Sequence, residues 1–355
     1  MRNDFPPVQD FASDNHAGVH PLIMAALAEA NTGRAPAYGA DGWTAAFNER
    51  VKAQFGPTAE GFPVFNGAGA NLVGLASTLG RYDAVICPAT AHIATHETGA
   101  AERLLGVKLL TAHTPQGKLT PADITAHLGG LGSHLEPQPK VVSISQITEL
   151  GTCYTPEEIA ALASTAHAHG LLLHMDGARL ANAAAHLGTG LRAFTTDAGV
   201  DILSFGGTKN GALGAEAVIV LRPDLTSSLP YLRRQSLQLA SKMRFVSAQL
   251  TALLTDNLWH TNAAHSNAMA NRLAAGVSGL PGLSIVYPVE SNAVFASLPQ
   301  AAISALQERF RFHVTDPAGP VVRWMTSFDT TTEDVDQFIS AIGDTLKGNV
   351  SRETL

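Results

Sequence analysis

LLLHMDGARLANA (171–183), followed by DILSFGGTKNG (201–211), decides the fold. Each stretch opens on a short, mostly apolar run and closes on glycine beside charged residues: Asp176-Gly177 with Arg179 in the first, Gly206-Gly207-Thr208-Lys209 in the second. An apolar run of this length cut off by glycine reads as a buried strand, and strands buried on both faces read as continuous runs rather than as alternation. Working outward, the same signal recurs at FPVF (62–65), DAVICP (83–88), KLL (108–110), KVVSIS (140–145) and EAVIVL (216–221). Helical stretches separate the seven runs. The clearest begins at Thr155-Pro156-Glu157-Glu158, with a threonine cap, proline in the first turn and glutamate three residues after the cap, and it stops at Gly170. The alternation predicts an α/β fold with a seven-stranded, mostly parallel sheet covered by helices.

From about residue 230 the pattern changes. Two long helical patterns, 231–255 and 257–278, precede the strand-like LSIVY, NAVFASL, FRFHV and VVRWM. A last helix starts at TTED and repeats Val335, Phe338, Ile339, Ile342 and Leu346 at helical spacing. The expected organisation is a large domain, 1–235, with an N-terminal arm, and a smaller α+β domain, 236–355.

The totals narrow the function classes. With 355 residues, 45% hydrophobic, 15% charged and a mean hydropathy of +0.09, the chain is an ordinary globular one of about two domains. A net charge of −7 gives no basic surface for nucleic acid. No apolar run reaches the roughly 18 residues of a membrane span, and MRNDFPPVQDF lacks a leader's apolar centre, so a soluble, cytoplasmic protein is expected. Cys87 and Cys153 read as small buried residues. Seven lysines leave a short list for amine chemistry.

Ligands of open α/β sheets bind beyond the carboxyl ends of the strands. Four such ends carry chemistry. Asn66-Gly67-Ala68-Gly69-Ala70-Asn71 follows FPVF and opens a helix whose N–H groups suit an anion; Leu72 spoils the dinucleotide pattern, which needs glycine there. Asp176 and Arg179 follow LLLHM, where an Asp–Gly turn with a surface ion pair is the plainer reading. Lys209 sits among glycines rather than on a solvated helix face. His92 and His96, four apart after DAVICP, share a helix face and suggest metal, yet Ile93 stands where the zinc-protease pattern needs glutamate. We therefore expect no metal. Together, a carboxylate, an arginine, an anion-cradling loop, an aromatic histidine and a sequestered lysine are the parts that pyridoxal 5′-phosphate requires.

With these residues in place, the chain resembles the fold-type I pyridoxal-phosphate enzymes, and among them the threonine aldolase family of β-eliminating lyases. The resemblance runs almost end to end, through Ser13-Asp14, NGAGAN (66–71), AHIATHETGA (91–100), HMDGARLANA (174–183), GGTKNG (206–211) and VVRWMT (321–326). Lys209 follows Asp176 by thirty-three residues, and that combination is specific. The resemblance implies that Lys209 links to the cofactor aldehyde, Asp176 pairs with the pyridine nitrogen and His92 stacks on the ring. It implies that Gly67 and Ala68 cradle the phosphate; the alanine lacks a relative's hydroxyl, which shifts anchoring toward backbone N–H groups and Thr208. Arg179, Arg323 and Ser13 become the clamp on the substrate carboxylate. Relatives often carry a second histidine where this chain has Glu149, so the base is His92, directly or through a water held by Glu149. Lys242 or Arg244 in ASKMRF is expected near the phosphate of a neighbouring subunit in a homodimer or homotetramer, although a solvated basic pair is the plainer reading.

The implied activity is cleavage of L-threonine, L-allo-threonine or related β-hydroxy-α-amino acids, such as phenylserine, to glycine and an aldehyde. The alternatives are β-elimination, transamination or racemisation on the same cofactor; a metal-dependent hydrolase using His92, His96 and Glu97; and a non-catalytic module that keeps the fold.

Overall fold

A computed structural model of the chain describes residues 9–316 and 319–353. Residues 1–8, on which the expectation about a leader was based, lie outside the described residues. All seven expected strands form: β1 (Glu60–Val64), β2 (Asp83–Pro88), β3 (Lys108–Ala112), β4 (Gln138–Ser145), β5 (Leu172–Gly177), β6 (Ile202–Gly206) and β7 (Glu216–Val220). They make one sheet in the order β1-β7-β6-β5-β4-β2-β3, and β7 alone runs antiparallel to its neighbours.

Alternation along the strands sets the two faces. Leu173, Met175, Leu203, Phe205, Val142 and Ile144 join the largest apolar cluster, together with Ile159, Leu162 and Ala166 of the helix Pro156–Ala168. That helix carries the expected capping box, Thr155 with Glu158. The opposite face carries Ser143, His174, Asp176 and Ser204 against the helix Gly67–Ala76. There His174 is wholly buried, with Nδ1 2.9 Å from Ser143 Oγ and Nε2 3.1 Å from Ser204 Oγ, and burial pushes its pKa down to about 4. The two strands that flank β5, β4 and β6, are thereby tied to it two residues before Asp176.

The second sheet is antiparallel, in the order β10-β11-β9-β8, from β8 (Ser284–Ile285), β9 (Ala293–Ser297), β10 (His313–Asp316) and β11 (Val321–Met325). The last helix, Thr332–Glu353, buries Val335, Phe338, Ile342 and Leu346 and packs Ile339 against that core. Phe11, from the chain's first segment, stacks on Phe338 at 4.4 Å between ring centroids. The helix Leu258–Val277 serves both cores, with Leu258, Trp259 and Ala263 in one and Ala270, Leu273 and Val277 in the other.

Two expectations need correction. The single helix read over 231–255 is two, Leu229–Gln235 and Arg244–Leu253, separated by an irregular segment in which Leu237 takes φ +61°. Their apolar faces go to different places: Leu229 joins Phe62 and Val218, whereas Val246 and Leu250 join the largest core. One straight helix cannot serve both. FRFHV is likewise not one strand, because Phe310–Arg311 pairs in parallel with Gln9–Asp10 and His313–Asp316 pairs with β11.

Candidate active site

Asp176 lies at the carboxyl end of β5, where the sheet hands its chain to a turn. Its Oδ1 accepts from Ala178 N at 3.0 Å, and its Oδ2 accepts from Asn71 Nδ2 at 2.8 Å. The same Asn71 amide donates to Glu97 Oε1, also at 2.8 Å, and Glu97 Oε1 lies 2.8 Å from His92 Nδ1. Hydrogen bonding to Glu97, partly offset by burial, raises the pKa of His92. A carboxylate at Nδ1 keeps the proton there and leaves Nε2 as the basic nitrogen. The His92 side chain is 40% exposed, so its ring remains accessible from the cleft. His92, Glu97 and Asp176 each place one ligand atom within 4.8 Å of the others. His96 stays outside that group; it stacks on His92 at 5.7 Å and its Nδ1 meets Thr95 Oγ1 at 2.6 Å.

Glu149 stands behind His92. Its Oε1 accepts from His92 N and from Ser145 Oγ, both at 2.7 Å, while Oε2 is buried without a hydrogen-bond partner. Burial is the main cause that raises its pKa.

Lys209 lies on the 3-10 turn Thr208–Asn210 just past β6. Glycines are required on the way to it. A Cβ at Gly206 would lie 2.6 Å from Ala178 O, and one at Gly207 would lie 2.5 Å from Ala215 O. Burial lowers the pKa of Lys209 and Arg179 lowers it further, against Asp14, Asp176 and Glu216. A lowered pKa makes an amine easier to deprotonate and so more available as a nucleophile. Thr208 Oγ1 accepts from Ala215 N at 3.2 Å, inside the turn itself.

The two arginines meet at the first segment of the chain. Arg179 donates twice to Asp14, Nε to Oδ2 at 2.7 Å and Nη2 to Oδ1 at 2.8 Å, and its Nη2 lies 3.1 Å from Met325 Sδ. Arg323, on β11, donates from Nη2 to Ala12 O at 3.0 Å, and its Nε is buried without a partner. Burial pushes the Asp14 carboxyl up, but Arg179, Lys209 and Asn292 outweigh it and hold the net pKa low. Ser13 is adjacent, its Oγ accepting from Asn15 N at 3.2 Å.

At the start of the helix Gly67–Ala76, the Asn66 side chain accepts from Gly69 N at 2.7 Å. The N–H groups of Gly67 and Ala68 in that first turn have no partner within the helix. Gln238 packs against Gly69. Lys242 is exposed on the segment after Gln235 and takes part in none of the contacts above, whereas Arg244 Nη1 is directed at Thr32 O and Gly33 O.

The structure brings Lys209, Asp176, His92, Glu149, Arg179 and Arg323 near one another at the strand ends, with Ser13 next to Asp14, and leaves Lys242 apart from them. Not read from the sequence were Asn71, which donates to Asp176, Asp14, which accepts from Arg179, and Asn292, which donates to Asp14. Asn71 and Asp14 stand inside the motifs quoted for the resemblance, and only that placement marks them.

Comparison with known proteins agrees. The beta-eliminating lyase family model matches residues 10–301. The low specificity L-threonine aldolase of Pseudomonas aeruginosa is 45% identical over 329 residues, 92% of this chain and 95% of that one. A second such enzyme, from a Pseudomonas species, is 43% identical over 91% of this chain and 93% of its own. The solved threonine aldolase of Leishmania major superposes with a TM-score of 0.91 at 32% identity, covering 95% of this chain and 99% of that one. On the match of motif, site and fold, the chain belongs to the beta-eliminating lyase family.

Proposed function

We propose that this enzyme is a pyridoxal-phosphate-dependent aldolase that cleaves L-threonine, L-allo-threonine and related β-hydroxy-α-amino acids to glycine and an aldehyde. The observation that carries the reading is the placing of a half-buried Lys209 near Asp176 at neighbouring strand ends, together with the His92–Glu97 pair. The residues fit the cofactor. Burial lowers the pKa of the Lys209 amine, the Asp176 carboxylate is held by two donors, and the Gly67 and Ala68 N–H groups open a ten-residue helix. Glu149 Oε2 and Arg323 Nε, buried without partners, are further groups awaiting a ligand.

When bound, the cofactor supplies an electron sink for the bond broken at the substrate Cα. Lys209 would hold it covalently through its aldehyde carbon, Asp176 would keep its ring nitrogen protonated, His92 would lie against its ring, and Gly67, Ala68 and Thr208 would hold its phosphate. Arg179, steadied by Asp14, binds the substrate carboxylate with Arg323 and Ser13, and an arginine fork suits that planar anion. This clamp turns the substrate so that its Cα–Cβ bond is the one that breaks. His92 Nε2 takes the β-hydroxyl proton as the aldehyde leaves, a contribution of roughly 10²–10⁴-fold, and a proton returned to Cα completes glycine. Glu149 holds the His92 backbone and orders a water beside it.

The larger unit, 1–235, contributes Lys209 and Asp176, and the smaller, 236–355, brings Arg323. The enzyme works as a homodimer or homotetramer, in which Lys242 reaches the phosphate held by the neighbouring subunit; Arg244 is engaged within its own chain. We place it in the cytoplasm, a location that suits two free, buried thiols. Among the described residues, no helix is long and apolar enough to cross a membrane.

The test is borohydride reduction of Lys209→Ala protein loaded with pyridoxal phosphate. Loss of the covalent adduct is expected, and its persistence would refute the reading. Release of acetaldehyde from threonine, rather than pyruvate from serine, separates cleavage from β-elimination. The grouping of His92, Glu97 and Asp176 favours a second reading, a transition-metal site, which metal analysis of the purified protein decides.

A further inference from the structure

We propose that Glu216 is a positioning residue for Lys209, clamping the backbone turn that carries the lysine and setting the negative charge beneath its amine. The inference rests on the assignment of Lys209 above.

Glu216 opens β7, in register with Gly206 across the sheet. Its Oε2 accepts from Gly207 N at 3.1 Å and its Oε1 from Thr208 N at 3.2 Å, so one carboxylate takes two successive backbone donors immediately before Lys209. From the other side, Ala215 N donates to Thr208 Oγ1 at 3.2 Å. The turn is stitched to the start of β7 at three points. Gly207 permits this approach, since a Cβ there would meet Ala215 O and Leu250. The carboxylate itself is 6% exposed, and the residues beside it in the chain, Ala215 and Ala217, are fully buried.

A carboxyl group in such surroundings is expensive to bury, and the two backbone donors it accepts offset only part of that cost. Its retention is explained by what it faces. The charged groups around Lys209 are Arg179, Asp14, Asp176 and Glu216, and the one charged group facing Glu216 among those with a resolved influence is Lys209. Burial pushes the Glu216 carboxyl up to about 7. Ionised, it favours the ammonium form of Lys209; protonated, it releases the amine to its neutral form. The two protonation equilibria are coupled, and the turn is held most firmly when both carboxylate oxygens accept.

The test uses the full-length, cofactor-loaded protein and its Glu216→Gln and Glu216→Asp variants, with two readouts other than turnover. Hydrogen exchange of the Gly207 and Thr208 amides should quicken about tenfold in Glu216→Gln, the scale of losing a charged hydrogen bond. The pH midpoint of the bound cofactor's visible absorbance should move down in Glu216→Gln, because the protonated form of the Lys209 nitrogen loses a stabilising negative charge. It should return toward the parent value in Glu216→Asp, which keeps the charge but shortens its reach and still quickens amide exchange. Unchanged exchange with an unchanged midpoint overturns the proposal, and so does faster exchange spread evenly over the sheet. If Glu216→Gln does not fold, Glu216→Asp decides alone: unchanged exchange at the two amides overturns the clamp. Persistence of a borohydride-reducible adduct in Lys209→Ala would instead bring down the functional reading and leave the amide-exchange result standing.

Discussion

Replacing Asp14 by alanine tests whether the arginine clamp is held in advance of substrate. Asp14 is 1% exposed as a side chain and Arg179 17%, and they share two hydrogen bonds of 2.7 and 2.8 Å. Removing one partner of a buried pair leaves an uncompensated charge and costs roughly 3–5 kcal/mol. Here the remaining cation is Arg179, which already faces Arg323. Asn292 Nδ2, 3.0 Å from Asp14 Oδ2, loses one of its two acceptors and keeps Thr326 O. At about 2.1 cal/mol/K per residue, unfolding 355 residues carries an entropy of about 0.75 kcal/mol/K, so Tm should fall by about 4–7 °C. Calorimetry of parent and variant at equal protein and cofactor concentration measures it. The sign with pH follows from the lowered pKa of Asp14: its stabilisation is present above the ordinary carboxylate range and is lost as the pH falls through the folded-state value. The defect is therefore full at neutral pH and shrinks only in acid. A rise in KM for threonine should accompany it, because Arg179 is no longer oriented. A Tm within about 1 °C of the parent at pH 7 would refute the argument, since a charge left unpaired in a buried site cannot be that cheap.

Glu97→Gln removes the hydrogen bond that raises the pKa of His92, so the acid limb of the kcat/KM profile should move to lower pH. In the parent, that bond's stabilisation is present at low pH and is lost as the pH rises through the folded-state pKa of His92. Gly206→Ala drives a Cβ to within 2.6 Å of Ala178 O and should cost about 1–3 kcal/mol, read as a drop in Tm of about 1–4 °C. Cys87 and Cys153 are both buried, and burial pushes both thiols up to about 12. Neither should react with an aromatic disulfide reagent in the native protein, and both should titrate once guanidinium unfolds it.

Much of the fold was legible because its signals are local. Each of the seven strands is a run of apolar residues stopped by turn residues, and the capping box at Thr155 needs only four consecutive positions. The helix over 231–255 was misread for the opposite reason. Helical periodicity continues through it, but Leu229 and Val246 bury against different parts of the protein, and the backbone must break between them. Within the site, Lys209 and Asp176 were readable from their strand ends. The partners were not. Arg179 and Asp14 are 165 positions apart, Asn71 and Asp176 are 105 apart, and no spacing rule joins them.

By itself, the sequence determined the seven strands and their mostly parallel α/β class, and it singled out Lys209 among seven lysines as the candidate for amine chemistry. These follow from burial and from glycines that no other residue could replace. Only the tertiary structure decided that Asn71 bridges Asp176 to Glu97, that Arg179 is already ion-paired, and that Glu216 underlies the Lys209 turn. Each of these is a hydrogen bond between segments that come together after the sheet has formed. Their strength depends on directions and distances of a few tenths of an ångström inside a low-dielectric cleft, and a linear string of residues carries no record of those.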